Sequence, residues 1–359
     1  MADKRKASES FGSSSSQLVK RARPETTNTA NAVAVVPGGK TSGALIQSVP
    51  RTSGLQSPIM ELQGHSSEVF AARFDPSGQV IASGSFDRSI FLWRTYGECE
   101  NYRVLNGHRG AVLDLAWSRD STTLFSASAD SLLAAWDTET GERLRRYTGH
   151  EDIVNTLDVT RRGPEVIFSG SNDGSVGIWD PRQKLCVDYL QTNYPITAVA
   201  VNDAGSELFT GGIDNEIKAW DLRKREVAYT MRGHQDTVTS LAISPDGQYL
   251  LSNAMDGTVR TWDVRAFAPA NRMQKSFEDA IHLGLEKNLI RASWSPDGQK
   301  IAAGSGDRTV AIWDVESRKL LYKLPGHKGT VNDVRFSPTE PIIVSASSDK
   351  NLILGEIAK

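Results

Sequence analysis

The chain has 359 residues, with 41 Lys and Arg against 43 Asp and Glu and a formal charge of −2, a balance that gives no general attraction to nucleic acid or to an anionic membrane. Its two cysteines, Cys99 and Cys186, are too few for a disulfide framework and fit a reducing compartment. No apolar run reaches membrane-spanning length and the N-terminus lacks the apolar core of a signal peptide, so a soluble, intracellular protein of one large or two ordinary domains is expected.

Residues 1–57 are rich in Ser, Thr, Ala, Asn and Gly, with SSSS at 13–16. A segment so poor in apolar periodicity is expected to be a disordered tail. It carries eight basic side chains and three acidic ones, a net of +5, which leaves −7 on residues 58–359. Lys4, Arg5 and Lys6 form one basic cluster and Lys20, Arg21 and Arg23 a second, spaced as in a bipartite nuclear import signal. Simple solubilising charge is the plainer alternative.

From Pro58 onward one pattern recurs. Gly-His appears at Gly64-His65, Gly107-His108, Gly149-His150, Gly233-His234 and Gly326-His327, the histidines stepping by 43, 42, 84 and 93 residues. Trp-Asp or its remnant keeps the same beat at Trp93-Arg94, Trp136-Asp137, Trp179-Asp180, Trp220-Asp221, Trp262-Asp263, Trp313-Asp314 and Leu354-Gly355. Seven units follow, and a group that returns every forty-odd residues belongs to the architecture. Within a unit, as in VTSLAIS, PDGQ, YLLSNAM, Asp256-Gly257 and TVRTWDV, short apolar runs alternate with Gly, Asp and Pro, which predicts strands joined by tight hairpins. The runs are too continuous for half-exposed strands and suit sheets covered on both faces. After each Trp-Asp a more alternating stretch, such as KLLYKL at 319–324, predicts an outer strand that is partly wet. The last unit ends one strand short, and PIMELQG at 58–64 supplies a strand to close the ring without a free edge.

These registered copies resemble the WD-repeat β-propellers over residues 58–359. The resemblance implies an all-β, seven-bladed propeller, with hydrogen-bonded tetrads of His, Ser, Asp and Trp as structural braces. By position the complete tetrads are His65, Ser83, Asp87, Trp93; His108, Ser126, Asp130, Trp136; His150, Ser169, Asp173, Trp179; and His234, Ser252, Asp256, Trp262. The fourth unit has Gln191-Thr192 in place of Gly-His; the sixth has Gly284-Leu285, with Ala303 at the serine position. All seven turn aspartates remain, from Asp87 to Asp349, and are read as turn formers, not as a calcium ring.

No phosphate-binding GxxxxGK[ST], paired-cysteine zinc spacing or HExxH occurs, so no catalytic residue, metal or cofactor is expected. Propeller faces serve as docking surfaces. Phe86, Ile213 and Met255, each just before a turn aspartate, are candidate partner contacts. So are Phe267, Arg272 and Phe277 in the connector 265–288, where the Trp-to-Trp step lengthens to 51 residues and about nine extra residues are expected to project as a loop. The stretches that depart from the repeat consensus, among them SNAMDGTVRTWDVRAFAP and EKNLIRASWSPDGQKIAAGS, resemble the WD-repeat subunits of the U5 small nuclear ribonucleoprotein. That resemblance implies a nuclear, non-catalytic scaffold docked on a large Prp8-type protein, with RNA contact indirect or through the basic tail. A different class is suggested by WDPR, WDLR and WDVR at 179–182, 220–223 and 262–265, which resemble the WDxR boxes of cullin-RING ubiquitin ligase substrate receptors; a local turn cap is the simpler account of the arginine.

Overall fold

The computed structural model describes residues 51–278 and 288–357. The import candidates Lys4, Arg5, Lys6, Lys20, Arg21 and Arg23, and the expected disorder of the tail, lie outside the described residues. Within them the regular structure is entirely β, seven four-stranded antiparallel sheets. The predicted grammar of a unit is visible in the fifth: Val238–Ile243, Tyr249–Ala254 and Val259–Asp263 are its first three strands and Met273–Phe277 its fourth. The turn SPDG between the first two is built by side chains. Ser244 Oγ accepts the Tyr249 amide at 2.9 Å and Asp246 Oδ1 the Gln248 amide at 3.0 Å, while Gly247 takes φ of 70°, a backbone region open to glycine at little steric cost.

The first strands, from Val69–Phe74 through Val112–Trp117, Val154–Val159, Ile196–Val201, Val238–Ile243 and Ala292–Trp294 to Val331–Phe336, line a central channel. Each adjoins the next, and the last adjoins the first. In most blades the first hairpin skips a residue, as between Val238 and Ser240, a bulge that takes one side chain out of the ladder and re-aims it. The freed side chain staples the next blade. Asn155 Nδ2 donates to the Ile196 carbonyl at 2.8 Å, Thr239 Oγ1 to Ile290 at 2.7 Å and Asn332 Nδ2 to Val69 at 2.8 Å. The last of these crosses the seam between chain ends.

The core is therefore divided into layers between blades. Phe209 and Ile217 of the fourth blade pack on Leu250 and Trp262 of the fifth; Ile342, Val344 and Leu354 of the seventh pack on Val69, Ile81 and Trp93 of the first. Full burial of each such side chain favours the fold by about 1.5–3 kcal/mol. Ring closure follows the expected route: Ile59–Leu62 pairs antiparallel with Leu352–Glu356, Leu62 opposite Leu352, and completes the seventh blade. The chain is held earlier than composition suggested, since residues 51–57 dock as well. Arg51 Nε donates to Glu356 Oε2 at 2.8 Å, the Gly54 amide to Glu340 Oε2 at 2.8 Å, and Leu55 is buried.

The connector 265–288 is not one projecting loop. Its middle, Met273–Phe277, is the outer strand of the fifth blade, with Phe277 paired opposite Val259, so the extra residues fall on either side of it.

Candidate functional site

In the fifth blade, Trp262 Nε1 lies 2.8 Å from Ser252 Oγ, His234 Nε2 lies 2.7 Å from the same oxygen, and His234 Nδ1 lies 2.9 Å from Asp256 Oδ2. The donor inventory fixes the direction. Indole N–H can only donate, so the serine oxygen accepts it and gives its own hydrogen to Nε2; Nδ1 then carries the proton and donates to the carboxylate. Asp256 Oδ2 also accepts the Gln235 amide at 3.1 Å, and Oδ1 accepts the Thr258 amide at 2.9 Å. One side chain thus ties the connector carrying His234 to the turn between the second and third strands.

The same geometry joins His65, Ser83, Asp87 and Trp93, with separations of 2.9, 2.8 and 2.9 Å. It also joins His108, Ser126, Asp130 and Trp136, and His150, Ser169, Asp173 and Trp179. The glycine before each histidine lies against the indole: a Cβ on Gly107 or Gly233 would stand 3.1 or 3.2 Å from the Trp Cη2 atom. The four serines are fully buried and the imidazoles shielded. Each serine hydroxyl is engaged on both sides, so the arrangement resembles a catalytic triad in composition only. Burial lowers the pKa of His65 and His150 against the pull of their aspartates, which keeps these rings neutral.

The incomplete units are repaired in two ways. In the fourth blade Thr210 Oγ1 accepts Trp220 Nε1 at 2.9 Å, and Lys218 Nζ pairs with Asp214 where no histidine is present. In the sixth, Lys323 Nζ lies 2.6 Å from Asp307. A lysine of the same blade takes over the turn carboxylate in both. The seventh blade keeps His327, Ser345 and Asp349 at 2.8 and 2.9 Å, a set passed over in the sequence because its tryptophan is missing. The register corrects where that tryptophan would be. Trp93 pairs opposite Ile81, ten residues after Ser83, and the equivalent residue opposite Ile343 is Gly355, not Leu354. Glu356 thus stands in the Asp position and clasps Arg51 and Thr52.

Among the candidate contacts, Phe86 is 59% and Ile213 51% exposed, Met255 is half-buried, and Phe267 is fully exposed. Phe86 has its edge against Phe70. Phe277 does not belong to such a surface: it is 2% exposed and packs with Trp313, because its strand closes the layer between the fifth and sixth blades. Arg272 is also engaged internally. Its Nη1 donates to the carbonyls of Asp263 and Arg265 at 3.0 and 3.1 Å, and its guanidinium lies 3.8 Å from the Tyr229 ring of the neighbouring blade. In the WDxR stretches the aspartate accepts the amide of the arginine, at 2.9 Å for Arg182 and Arg223 and 3.0 Å for Arg265. Asp137 makes the same turn with the Glu139 amide at 2.8 Å. The cap therefore does not require arginine.

The channel holds a charged network that sequence reasoning missed. Arg291 reaches from the sixth blade to Asp114 of the second at 2.5 Å and to the carbonyls of Leu113 and Asn155 at 2.9 and 3.2 Å. Arg73 Nη2 donates to Asp114 at 3.0 Å and Arg335 Nε lies 2.9 Å from Asp333. Charged residues inside otherwise apolar first strands, as in AARF and VNDVRF, were the available signal. Among the described residues no cluster of His, Cys, Asp and Glu could hold a metal ion.

Seven four-stranded sheets in a closed ring, braced from histidine to tryptophan, define a WD-repeat β-propeller. The family WD domain, G-beta repeat matches residues 56–94, 99–137, 141–180, 185–221, 225–263, 286–314 and 318–354, and the chain belongs to it. Within that family it is 52% identical over 314 residues to the U5 small nuclear ribonucleoprotein 40 kDa protein of Dictyostelium discoideum, covering 87% of this chain and 88% of that one. It is 55% identical over 318 residues to the Homo sapiens protein of the same name, covering 88% and 89%. To the pre-mRNA-splicing factor cwf17 of Schizosaccharomyces pombe it is 46% identical over 355 residues, 99% of each chain.

Proposed function

We propose that this chain is a non-catalytic scaffold of the U5 small nuclear ribonucleoprotein that acts in pre-mRNA splicing in the nucleus by docking on the large Prp8-type protein. The observation that carries the reading is its near-full-length similarity to proteins named for that particle and for splicing. A fold whose triad-like groups are consumed by internal hydrogen bonds supports a binding role. The −7 charge of residues 58–359 favours protein partners over the phosphate backbone, and residues 1–57 serve import and any direct RNA contact. No cofactor, membrane or small-molecule substrate enters this account.

The test is affinity purification of the tagged full chain from nuclear extract. Recovery of U5 RNA with the Prp8-type protein is expected; recovery of neither removes the proposal. The ligase-receptor reading is separated in the same experiment: Arg223→Ala with Arg265→Ala is expected to leave U5 recovery unchanged with no cullin adaptor on the wild-type chain, whereas an adaptor lost in the variant would favour the ligase reading.

A further inference from the structure

One mouth of the channel, bordered by the turns that follow the first strands of the seventh, first, second and third blades, opens into a funnel of about 550 Å³. Its floor is the Arg291–Asp114 crossing already described. Arg73 and Arg335 stand just above that floor, and Arg119 and Arg161 stand at the rim. Phe74, Trp117 and Phe336 supply apolar wall.

The carboxylates nearby are committed elsewhere. Asp114 and Asp333 are buried beneath Arg73, Arg291 and Arg335. Asp75 accepts the Val80 amide at 2.9 Å and the Ser77 amide at 3.2 Å, closing its own turn. Asp158 accepts the amides of Val159 at 3.0 Å and Val201 at 2.9 Å; it also lies 3.9 Å from the half-exposed Arg161, which reaches Asp203 at 3.5 Å, a loose surface pairing that an incoming carboxylate can replace. The guanidiniums are not saturated to the same degree. Arg73 Nε is buried and makes no hydrogen bond, and Arg335 Nε is held only by the ion pair to Asp333 at 2.9 Å, outside hydrogen-bond geometry. Burial above all, with Arg73 and Arg291 close by, brings the Arg335 pKa down to about 10 despite Asp333 and Asp114, so its charge is poorly solvated where it stands.

We propose that this funnel is a docking site for a partner peptide that inserts one acidic side chain, flanked by an apolar or aromatic residue, against Arg73 and Arg335. Guanidinium forks match a carboxylate bidentately in a partly dry site, and the aromatic wall would receive the flanking side chain. A polyanion fits less well. Asp75 and Asp158 border the funnel and the propeller carries −7 outside the tail, so like-charge repulsion grows with each added phosphate and is least for a single carboxylate. The site is independent of the splicing assignment and can hold or fail without it.

The experiment selects phage-displayed random heptapeptides on the intact chain and measures the enriched peptides as synthetic ligands. Enriched sequences are expected to carry Glu or Asp beside Phe, Leu or Trp. Replacing that acid by its amide should weaken binding about tenfold, as should Arg335→Gln, the loss of one charge-assisted contact. Arg335 is buried and its variant could misfold, so Arg119→Gln and Arg161→Gln at the exposed rim are measured beside it and should each weaken binding about two- to fivefold. The proposal fails if no peptide is enriched, if the enriched peptides lack an acid, or if the rim variants bind as wild type. It also fails if inositol hexakisphosphate or a ten-nucleotide RNA occupies the funnel more tightly than the peptides.

Discussion

Asp114 and Arg291 meet across the channel at 2.5 Å, although 177 residues separate them in sequence and three blades lie between theirs along the chain. Asp114 also receives Arg73, the Thr156 hydroxyl and the Leu157 amide, so one carboxylate links the first, second, third and sixth blades. Asp114→Ala should destabilise the propeller by about 3–5 kcal/mol, because a buried guanidinium is left uncompensated. The double change Asp114→Ala with Arg291→Met should cost clearly less than the sum of the single changes. Denaturant midpoints of the three variants check this, and strict additivity would show that the pair is not coupled.

The braces differ between blades in a way that stability measurements can resolve. Ser252→Ala leaves both Trp262 Nε1 and His234 Nε2 without their partner, at a cost of about 2–4 kcal/mol. Ser345→Ala, in the blade where Gly355 replaces tryptophan, strands His327 alone and should cost about 1–2 kcal/mol. Equal losses at the two serines would contradict the role given to the indole.

Acid stability should fall in two stages. Burial lowers the pKa of His65 and His150, so the folded chain keeps them neutral while the unfolded chain takes up protons from about pH 6.5 downward. Their contribution is complete above that value and is lost as pH falls toward the lower folded values. Burial alone would raise the carboxyls of Asp114, Asp130 and Asp349. For Asp114 the nearby guanidiniums of Arg291 and Arg73 outweigh burial, and for Asp130 and Asp349 the hydrogen bonds from imidazole and amide do so; all three are held at about 2. That contribution is present above the ordinary carboxylate value of about 4 and disappears as pH drops toward 2. Melting temperature recorded from pH 8 to pH 3 should be level at first, decline below about 6.5 and fall more steeply below about 4. A profile level down to pH 4 would contradict the neutral, buried imidazoles.

The repeat, the ring closure and the tetrads were legible because each rests on residue type at fixed spacing. Indole, hydroxyl, imidazole and carboxylate can satisfy one another only in one order, and the sequence displays all four. What was not legible depends on geometry between distant residues. Phe277 reads as an anchor in a loop until its strand is seen to pair with Val259. Leu354 reads as the tryptophan substitute until the register places Gly355 there. Arg73, Asp114, Arg291 and Arg335 look like separate charges in separate strands, and only the curvature of the ring brings them together.

The seam depends on residues just inside the compositional tail. Deleting residues 1–50 should leave thermal stability unchanged, whereas deleting 1–57 removes the buried Leu55 and the clasp of Arg51 and Thr52 on Glu356 and should cost about 2 kcal/mol. Calorimetry of the two truncations decides it; equal stability would show that 51–57 contribute nothing to closure.

The measurement that bears most directly on the account is U5 RNA recovered from nuclear extract on the tagged full chain, compared with a His234→Ala variant whose folded fraction is measured alongside. The account predicts strong recovery on the wild-type chain, and recovery on the variant that falls only in proportion to its folded fraction. Absence of U5 RNA from the wild-type chain, or a fully folded variant that no longer recovers it, would contradict it.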